Sequence, residues 1–194
     1  MIIVSFPQKE TMEGKLKGKN VAIIATNGVE QSEFEEPLKA LQKAEANIKI
    51  ISLKAAPFKT WKEKDWSDSH NADLAIDQAS SSDYDAVVLP GGVINADTLR
   101  ANQDVVNFVK DFLDAGKPVA AICHAPWILI ETGAVKGRQL TSYHSLQTDL
   151  TNAGASWTDE EVVTDNGLVT SRTPKDLPAF CKKMVEEISE GKHA

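Results

Sequence analysis

Runs of consecutive apolar residues alternate along the chain with segments in which apolar residues recur every three or four positions. Residues 21–25 and 86–89 are continuous apolar runs, which is typical of strands buried on both faces of a sheet. Phe34, Leu38 and Leu41 have the spacing of one helical face. This alternation predicts an α/β fold in which a doubly wound, mostly parallel sheet carries helices on both faces.

The same patterns predict the remaining elements. Further strands are expected at residues 48–53, 119–122, 138–143, 161–164 and 168–171, and further helices at residues 105–115, 125–131, 146–153 and after Pro174. Asn166-Gly167 separates two of these strands and is a strong signal for a hairpin. Residues 54–82 are polar, include Trp61 and Trp66, and are expected to hold short edge strands, one of them at residues 73–76.

Composition narrows the class of protein. The chain has 194 residues, 42% of them hydrophobic, which is enough for one substantial core. Its formal net charge of −7 argues against a surface for nucleic acid or anionic membranes. Cys123 and Cys181 are too few for a disulfide framework, and no stretch has the length of a membrane span or the pattern of a signal peptide. We therefore expect a cytoplasmic protein that binds neither nucleic acid nor membrane.

Cys123 lies between an apolar run, residues 119–122, and a helical pattern that opens at Ala125-Pro126. A thiol at such a turn is close to free backbone N–H groups and to the positive end of a helix, which favour thiolate and can hold a developing oxyanion. A small buried apolar side chain is the alternative interpretation. Ligands bind beyond the carboxyl ends of parallel strands, so Asn27-Gly28 and Pro90-Gly91-Gly92 are expected along the same edge.

Other residues at this edge have a structural interpretation beside a catalytic one. His124 is either the base that activates the thiol or a structural histidine. Gly92 either offers a backbone N–H to an oxyanion or forms a turn. Glu30 opens an acidic segment that suits the first turn of a helix, and the residues by themselves favour that role. Neither a metal nor a cofactor is expected, because His and Cys lack metal-site spacing and no dinucleotide or phosphate-loop motif is present.

Two motifs resemble the PfpI branch of the ThiJ/PfpI superfamily. They are Ala-Ile-Cys-His-Ala-Pro at residues 121–126 and Val-Val-Leu-Pro-Gly-Gly at residues 87–92. The resemblance runs from about residue 17 to the C-terminus and includes residues 116–118, 152–155 and 169–177. It implies a flavodoxin-like, class I glutamine-amidotransferase-like sheet with a nucleophile elbow. This would form a single domain, residues 17–194, after an N-terminal extension, residues 1–16.

The resemblance also implies a set of catalytic residues. The family's nucleophile corresponds to Cys123, its cysteine-contacting acid to Glu30 and its adjacent histidine to His124. The oxyanion donors correspond to the N–H groups of Gly92 and His124. In PfpI-like members a carboxylate of a neighbouring subunit completes the histidine, and the nearest match is Asp97.

Further implications concern assembly and substrate binding. A shared active site implies a homodimer or larger homo-oligomer with the site near a subunit interface. Gly91, Ala125 and His144 are expected to line the substrate pocket. Ala125 stands where the family often has glycine, and His144 follows the predicted strand at residues 138–143.

The implied function is that of a PfpI-like cysteine hydrolase in stress protection: an intracellular peptidase, or a glyoxalase or protein deglycase. Its substrate would be a small carbonyl compound or a peptide, and all these activities use the same thiol. One alternative is a non-enzymatic sensor or protective protein that responds to oxidative stress through Cys123. Another is a binding module without activity, in which Cys123 would be buried and unreactive. His124 favours the enzyme, because acyl transfer needs a proton shuttle and sensing does not.

Overall fold

The computed structural model describes residues 12–193. The strands are β1 (Asn20–Ile24), β2 (Val29–Glu30), β3 (Asn47–Ser52), β4 (Pro57–Lys62), β5 (Asp65–Asn71), β6 (Leu74–Ala75), β7 (Ala86–Leu89), β8 (Val119–Ile122), β9 (Gln139–Leu140), β10 (Ser156–Trp157), β11 (Val162–Asp165) and β12 (Leu168–Ser171). The helices are α1 (Gln31–Lys43), α2 (Val93–Arg100), α3 (Gln103–Asp114), α4 (Pro126–Glu131), α5 (Gln147–Asn152) and α6 (Leu177–Glu190).

Within these residues, a seven-stranded sheet has the order β11-β12-β8-β7-β1-β3-β6. Its neighbouring pairs are parallel except β11 with β12. Asn166 and Gly167 join that antiparallel pair, and both have the positive φ that a tight hairpin turn requires. The doubly wound, mostly parallel sheet predicted from the sequence is confirmed.

The core lies on both faces of this sheet. Along β1, Ala22 and Ile24 belong to one buried cluster, which also holds the aromatic residues of α3. Val21 and Ile23 belong to the other, together with the apolar faces of α1 and α6. Alternate residues of a strand point to opposite faces, so a strand covered on both sides must be apolar at every position. This explains the continuous apolar runs.

Residues 57–71 form a small structure beside the main sheet. The strands β4 and β5 make an antiparallel hairpin, and β2 pairs with β4 in parallel. Trp61 and Trp66 pack edge to face on this hairpin, with ring centroids 5.4 Å apart. The predicted strand at residues 73–76 is present as the short edge strand β6.

Two elements differ from the sequence-based expectation. Helix α2 has no predicted counterpart, because only Asn95, Ala96 and Leu99 of its eight residues are buried and the apolar stripe is too short to recognise. The strand expected over residues 138–143 is reduced to the two residues of β9, which pair with β10 outside the main sheet.

The predicted N-terminal extension, residues 1–16, is described from residue 12 onward, and residues 1–11 lie outside the described part. Leu16 is fully buried in the cluster with α1 and α6. Its N–H donates to the carbonyl of Ala44 at 2.8 Å. Leu16 is therefore part of the core rather than of a separate arm.

None of the helices within residues 12–193 combines sufficient length with sufficient apolar character to cross a bilayer.

Candidate active site

Cys123 follows the last residue of β8 and has a strained backbone. Its φ is 63°, in the left-handed region that non-glycine residues avoid. Two hydrogen bonds hold it: the Cys123 N–H donates to the carbonyl of Ser171 at 3.0 Å, and its own carbonyl accepts from the N–H of Tyr143 at 2.9 Å. Strain of this kind costs about 1–3 kcal/mol and persists where the surrounding structure enforces it. The backbone therefore has the form of the predicted nucleophile elbow.

The acid that faces the Cys123 thiol is Glu33, and the expectation that Glu30 occupies this place is corrected. The Glu33 carboxyl lies beside the Cys123 side chain and the N–H of Gly91, and both neighbours favour its ionised form. The carboxyl is fully buried, and neither of its oxygens makes a hydrogen bond of good geometry within the described residues. Glu30 instead caps α1: its Oε2 accepts from the N–H of Glu33 at 2.8 Å and from the hydroxyl of Ser32 at 2.6 Å.

The sequence carried a signal for Glu33. The buried residues of α1 are Glu33, Phe34, Pro37, Ala40 and Leu41, so Glu33 lies at the helical spacing of the apolar stripe. A carboxylate in such a stripe is rarely buried without a partner. In the sequence analysis the acidic segment is assigned to the first turn of a helix, and Glu33 is not singled out. The structural interpretation of Glu30 agrees with the position of Glu30 at the N-cap of α1.

Gly91 allows the Glu33 carboxyl to approach the elbow. A Cβ at residue 91 would lie 2.2 Å from Oε2 of Glu33, 2.7 Å from Cβ of Cys123 and 2.7 Å from the carbonyl oxygen of Ile122. Any larger residue would separate the acid from the thiol. Gly91 is buried, and its hydrogen in place of a side chain leaves the space that the Glu33 carboxyl occupies beside Cys123.

Two backbone N–H groups face the sulfur. They belong to Gly92 and His124, and both lie near enough to Cys123 to favour its thiolate form. Gly92 has φ 89°, and a Cβ there would lie 2.5 Å from the carbonyl oxygen of Gly28. Only glycine can therefore hold this N–H in place. Donors in this position suit a negatively charged sulfur and are close to where a carbonyl oxygen would develop charge.

His124 is adjacent to the thiol both in sequence and in space. Its Nδ1 is 3.2 Å from Sγ of Cys123, which the turned backbone of the elbow permits. The ring stacks on Tyr143 at 4.7 Å between centroids and packs against Trp127 at 5.3 Å. Burial, and to a lesser degree the nearby His144, lowers the pKa of His124 to about 4. The imidazole is therefore neutral at pH 7.

The remaining predicted site residues are Asp97, His144 and Ala125, which differ in their exposure to solvent. Asp97 is exposed on α2, and within the described chain no carboxylate hydrogen-bonds His124. His144 is exposed and packs on Tyr143, with ring centroids 4.4 Å apart. Ala125 has ordinary helical torsions, and its methyl group is fully buried in the core cluster on the α3 face. It has no surface for a substrate, which corrects its predicted place in the pocket.

The Glu33–Cys123 pair resists ionisation. Burial, and secondly the charge of Glu30, raises the pKa of Glu33 from 4.5 to about 8. Burial also raises the pKa of the Cys123 thiol, and an ionised Glu33 raises it further. Burial outweighs the lowering of the Cys123 pKa that was expected from the following helix, because α4 has only six residues and Cys123 is 7% exposed.

Loss of one proton from this pair leaves one proton between a carboxylate and a sulfur. If that proton lies on Glu33, the carboxyl donates to a thiolate that the N–H groups of Gly92 and His124 also stabilise. This form is a nucleophile with an adjacent proton donor, which suits addition to a carbonyl carbon. Among the described residues, the side chains around Cys123 do not place three ligand atoms within reach of one metal ion.

Stability of the folded chain is expected to fall as pH rises towards 8. Folding raises the pKa of Glu33 from 4.5 to about 8, so the protonated form stabilises the folded state. That contribution is complete below about pH 4.5 and is lost as pH passes through about 8. The shift corresponds to roughly 3–5 kcal/mol. Urea denaturation at about pH 5 and at about pH 8 gives the free energy of unfolding at each pH, and the difference between the two values measures this loss.

Glu33→Gln is the control for this pH dependence, because an amide cannot ionise. Its free energy of unfolding should change much less between the two pH values. A wild-type chain that is equally stable at both would show that Glu33 is not the buried titrating group.

Comparison with known proteins agrees with this architecture. The family model described as the DJ-1/PfpI family matches residues 19–187. General stress protein 18 of Bacillus subtilis (strain 168) is 44% identical over 164 residues, which cover 84% of this chain and 94% of that protein. Protein/nucleic acid deglycase 2 of Escherichia coli (strain K12) is 42% identical over 163 residues, covering 84% and 93% respectively.

Solved structures show the same fold. The crystal structure of Drosophila melanogaster DJ-1beta has a TM-score of 0.79 at 31% identity, and covers 88% of this chain and 90% of its own. The family model spans the whole sheet, from β1 to β12, and most of α6. The chain belongs to the DJ-1/PfpI family.

Proposed function

We propose that this chain is a cysteine-dependent hydrolase that acts on carbonyl adducts of small molecules or proteins. The observation that carries the proposal is the Cys123 thiol held at φ 63° against the buried Glu33 carboxyl, with the N–H groups of Gly92 and His124 facing the sulfur. Relatives in the same family support it, since one of them is named as a protein and nucleic acid deglycase.

The first chemical step is addition of the thiolate to an aldehyde. A bond forms between Sγ of Cys123 and the carbonyl carbon while the π bond of the carbonyl breaks. The oxygen takes the proton held by Glu33, so a thiol and an aldehyde give a hemithioacetal with no other reactant. The N–H groups of Gly92 and His124 stabilise the charge that develops on the oxygen, and each such donor is worth about 3–4 kcal/mol. With methylglyoxal, a proton then moves from the carbon bonded to sulfur to the neighbouring carbonyl carbon by way of an enediol, which converts the hemithioacetal into a thioester of lactate. Water cleaves the C–S bond of that thioester, releases lactate and restores the thiol.

His124 needs help from outside the chain to move protons. With a pKa of about 4, its imidazole is a weak base at pH 7. A carboxylate at its exposed side would raise this pKa, because an opposite charge favours the protonated form. We propose that Asp97 of a second copy supplies it, in a homo-oligomer whose interface includes α2.

Exposed apolar residues on α2 support this interface. Val93 is 52% exposed and Ile94 is 42% exposed, and both lie on the helix that carries Asp97. Sedimentation equilibrium should show an oligomer, and Asp97→Asn should lower turnover without changing the sedimentation profile. A monomer with full activity would exclude this role for Asp97.

The proposed activity is tested with three substrates. We expect the wild-type chain to convert methylglyoxal to lactate, and to release free N-acetylarginine from its methylglyoxal adduct. A fluorogenic peptide without a carbonyl adduct should be cleaved much more slowly. Rapid peptide cleavage without action on either carbonyl substrate would replace the proposal with a peptidase.

Oxidation sensing is the second candidate, because the same contacts suit an oxidised sulfur. A protonated Glu33 and two N–H groups can donate to the oxygens of a sulfinic acid on Cys123. Mild peroxide treatment followed by intact mass measurement would detect it. Stable oxidation at Cys123 without turnover of any carbonyl substrate favours the sensor, and a Cys123 that neither oxidises nor alkylates indicates an inactive module.

A further inference from the structure

Three potential metal ligands meet at the end of α6, away from Cys123. They are Glu187 and Glu190, one helical turn apart, and His193, which lies just beyond the helix. One ligand atom from each lies within 4.8 Å of the others. Oε2 of Glu187 and Nε2 of His193 are 3.1 Å apart.

The buried member of this cluster lacks a hydrogen bond. Glu187 is 6% exposed, and its Oε2 forms no hydrogen bond of acceptable geometry. The same is true of the buried Nε2 of His193, although the two atoms are within hydrogen-bonding distance. A buried polar atom without a partner costs about 1–3 kcal/mol, and in native structures it often marks an ion or water site.

We propose that Glu187, Glu190 and His193 bind a divalent cation, with zinc as the ion that best fits the donors. Zinc accepts imidazole nitrogen and carboxylate oxygen at about 2.0–2.2 Å, which places two neighbouring ligand atoms about 3.3 Å apart in a tetrahedral site. The separation of Oε2 and Nε2 matches this value. Water would complete the coordination. The sequence-based expectation of no metal considered only the spacing of His and Cys, and this set is mainly acidic.

The place of the cluster indicates a structural role. The His193 N–H donates to the carbonyl of Gly116 at 2.9 Å, and a Cβ at Gly167 would lie 2.9 Å from Cδ2 of the His193 ring. These glycines precede β8 and β12, whereas Cys123 follows the opposite end of β8. A bound ion would therefore fasten the end of α6 to the two turns at the amino edge of the sheet, without contact with the thiol.

Calorimetric titration of the full chain with zinc chloride tests the proposal. The titration uses the Cys123→Ser background, so that the Cys123 thiol cannot bind the metal. We expect one equivalent to bind and the melting temperature to rise. His193→Ala and Glu190→Gln should each weaken binding by at least about tenfold, since even residues that only orient ligands contribute that much. Glu190 is exposed, so its replacement leaves the core intact.

His70→Ala is the matched control. His70 forms a similar pair with Glu35 at 3.2 Å, and both histidine side chains are 24% exposed. Its replacement should leave the zinc affinity unchanged. If the background chain binds no zinc, or if Glu190→Gln and His193→Ala bind as tightly as it does, the cluster is only an ion pair between Glu187 and a protonated His193.

Discussion

Cys123→Ser is expected to abolish turnover of every carbonyl substrate while leaving the fold intact. Serine has nearly the same size and tolerates the same backbone, but its hydroxyl ionises far less readily than a thiol. Neither Glu33 nor the neutral His124 would form enough alkoxide to attack. We expect turnover to fall by at least about a thousandfold, to the level that substrate binding and the N–H donors alone can support. Initial rates with methylglyoxal, together with a urea titration, measure both effects.

Cys181→Ser is the matched control for this experiment. Cys181 is buried in α6, and burial raises the pKa of its thiol to about 12, so it contributes little thiolate at neutral pH. Its replacement should preserve the rate and reduce stability by about 1–3 kcal/mol, the cost of burying a hydroxyl in place of the thiol. Turnover that survives in Cys123→Ser, or that disappears in Cys181→Ser, would contradict the assignment of the nucleophile.

Glu33→Gln is expected to reduce turnover by about 10²–10⁴-fold, the range for loss of a positioned proton donor. The amide keeps the shape of the side chain and can still donate to the sulfur. It cannot share the proton that the Glu33–Cys123 pair exchanges with the substrate oxygen. Turnover of the variant should change less with pH than that of the wild-type chain, because the group whose pKa is about 8 has been removed.

Glu30→Gln makes the same chemical change at the other candidate acid, so comparing it with Glu33→Gln shows which of the two carboxyls acts in turnover. Glu30 caps α1 and does not hydrogen-bond the thiol, so its replacement should leave turnover within a few-fold of wild type. Loss of the cap should cost at most about 1 kcal/mol, since glutamine can still accept the N–H of Glu33. If Glu30→Gln loses activity and Glu33→Gln retains it, the original assignment from resemblance is right and the observed contact is incidental.

Much of the fold follows from local patterns. The continuous apolar runs predicted β1, β7 and β8 within one residue of their observed bounds, because strands covered on both faces must be apolar throughout. Asn166-Gly167 predicted the hairpin of β11 and β12, because only residues that tolerate positive φ form so tight a turn. Helix α2 was not predicted, and residues 54–82 were expected to hold short edge strands but not the β4–β5 hairpin, because neither element buries a long apolar stripe.

Some features of the candidate active site were also predictable from the sequence, and others were not. The elbow at Cys123 and the donor at Gly92 are visible in sequence, since a strand, a small turn and a helix follow one another there. The spacing of apolar residues in α1 includes Glu33 and leaves Glu30 at the N-cap, but it does not show which carboxyl reaches the thiol. Which carboxyl reaches the thiol depends on how α1 packs beside Gly91 and the elbow.

By itself, the sequence determined the order of strands and helices, the position of the thiol and the histidine beside it. Those features depend on neighbouring residues and on steric rules that act within a few positions of the chain. The tertiary structure alone decided which acid lies beside Cys123, that Ala125 is fully buried in the core, and that Glu187 and His193 meet at the other end of the sheet. Such contacts join residues from separate elements, and burial between those elements sets the pKa values on which the chemistry depends.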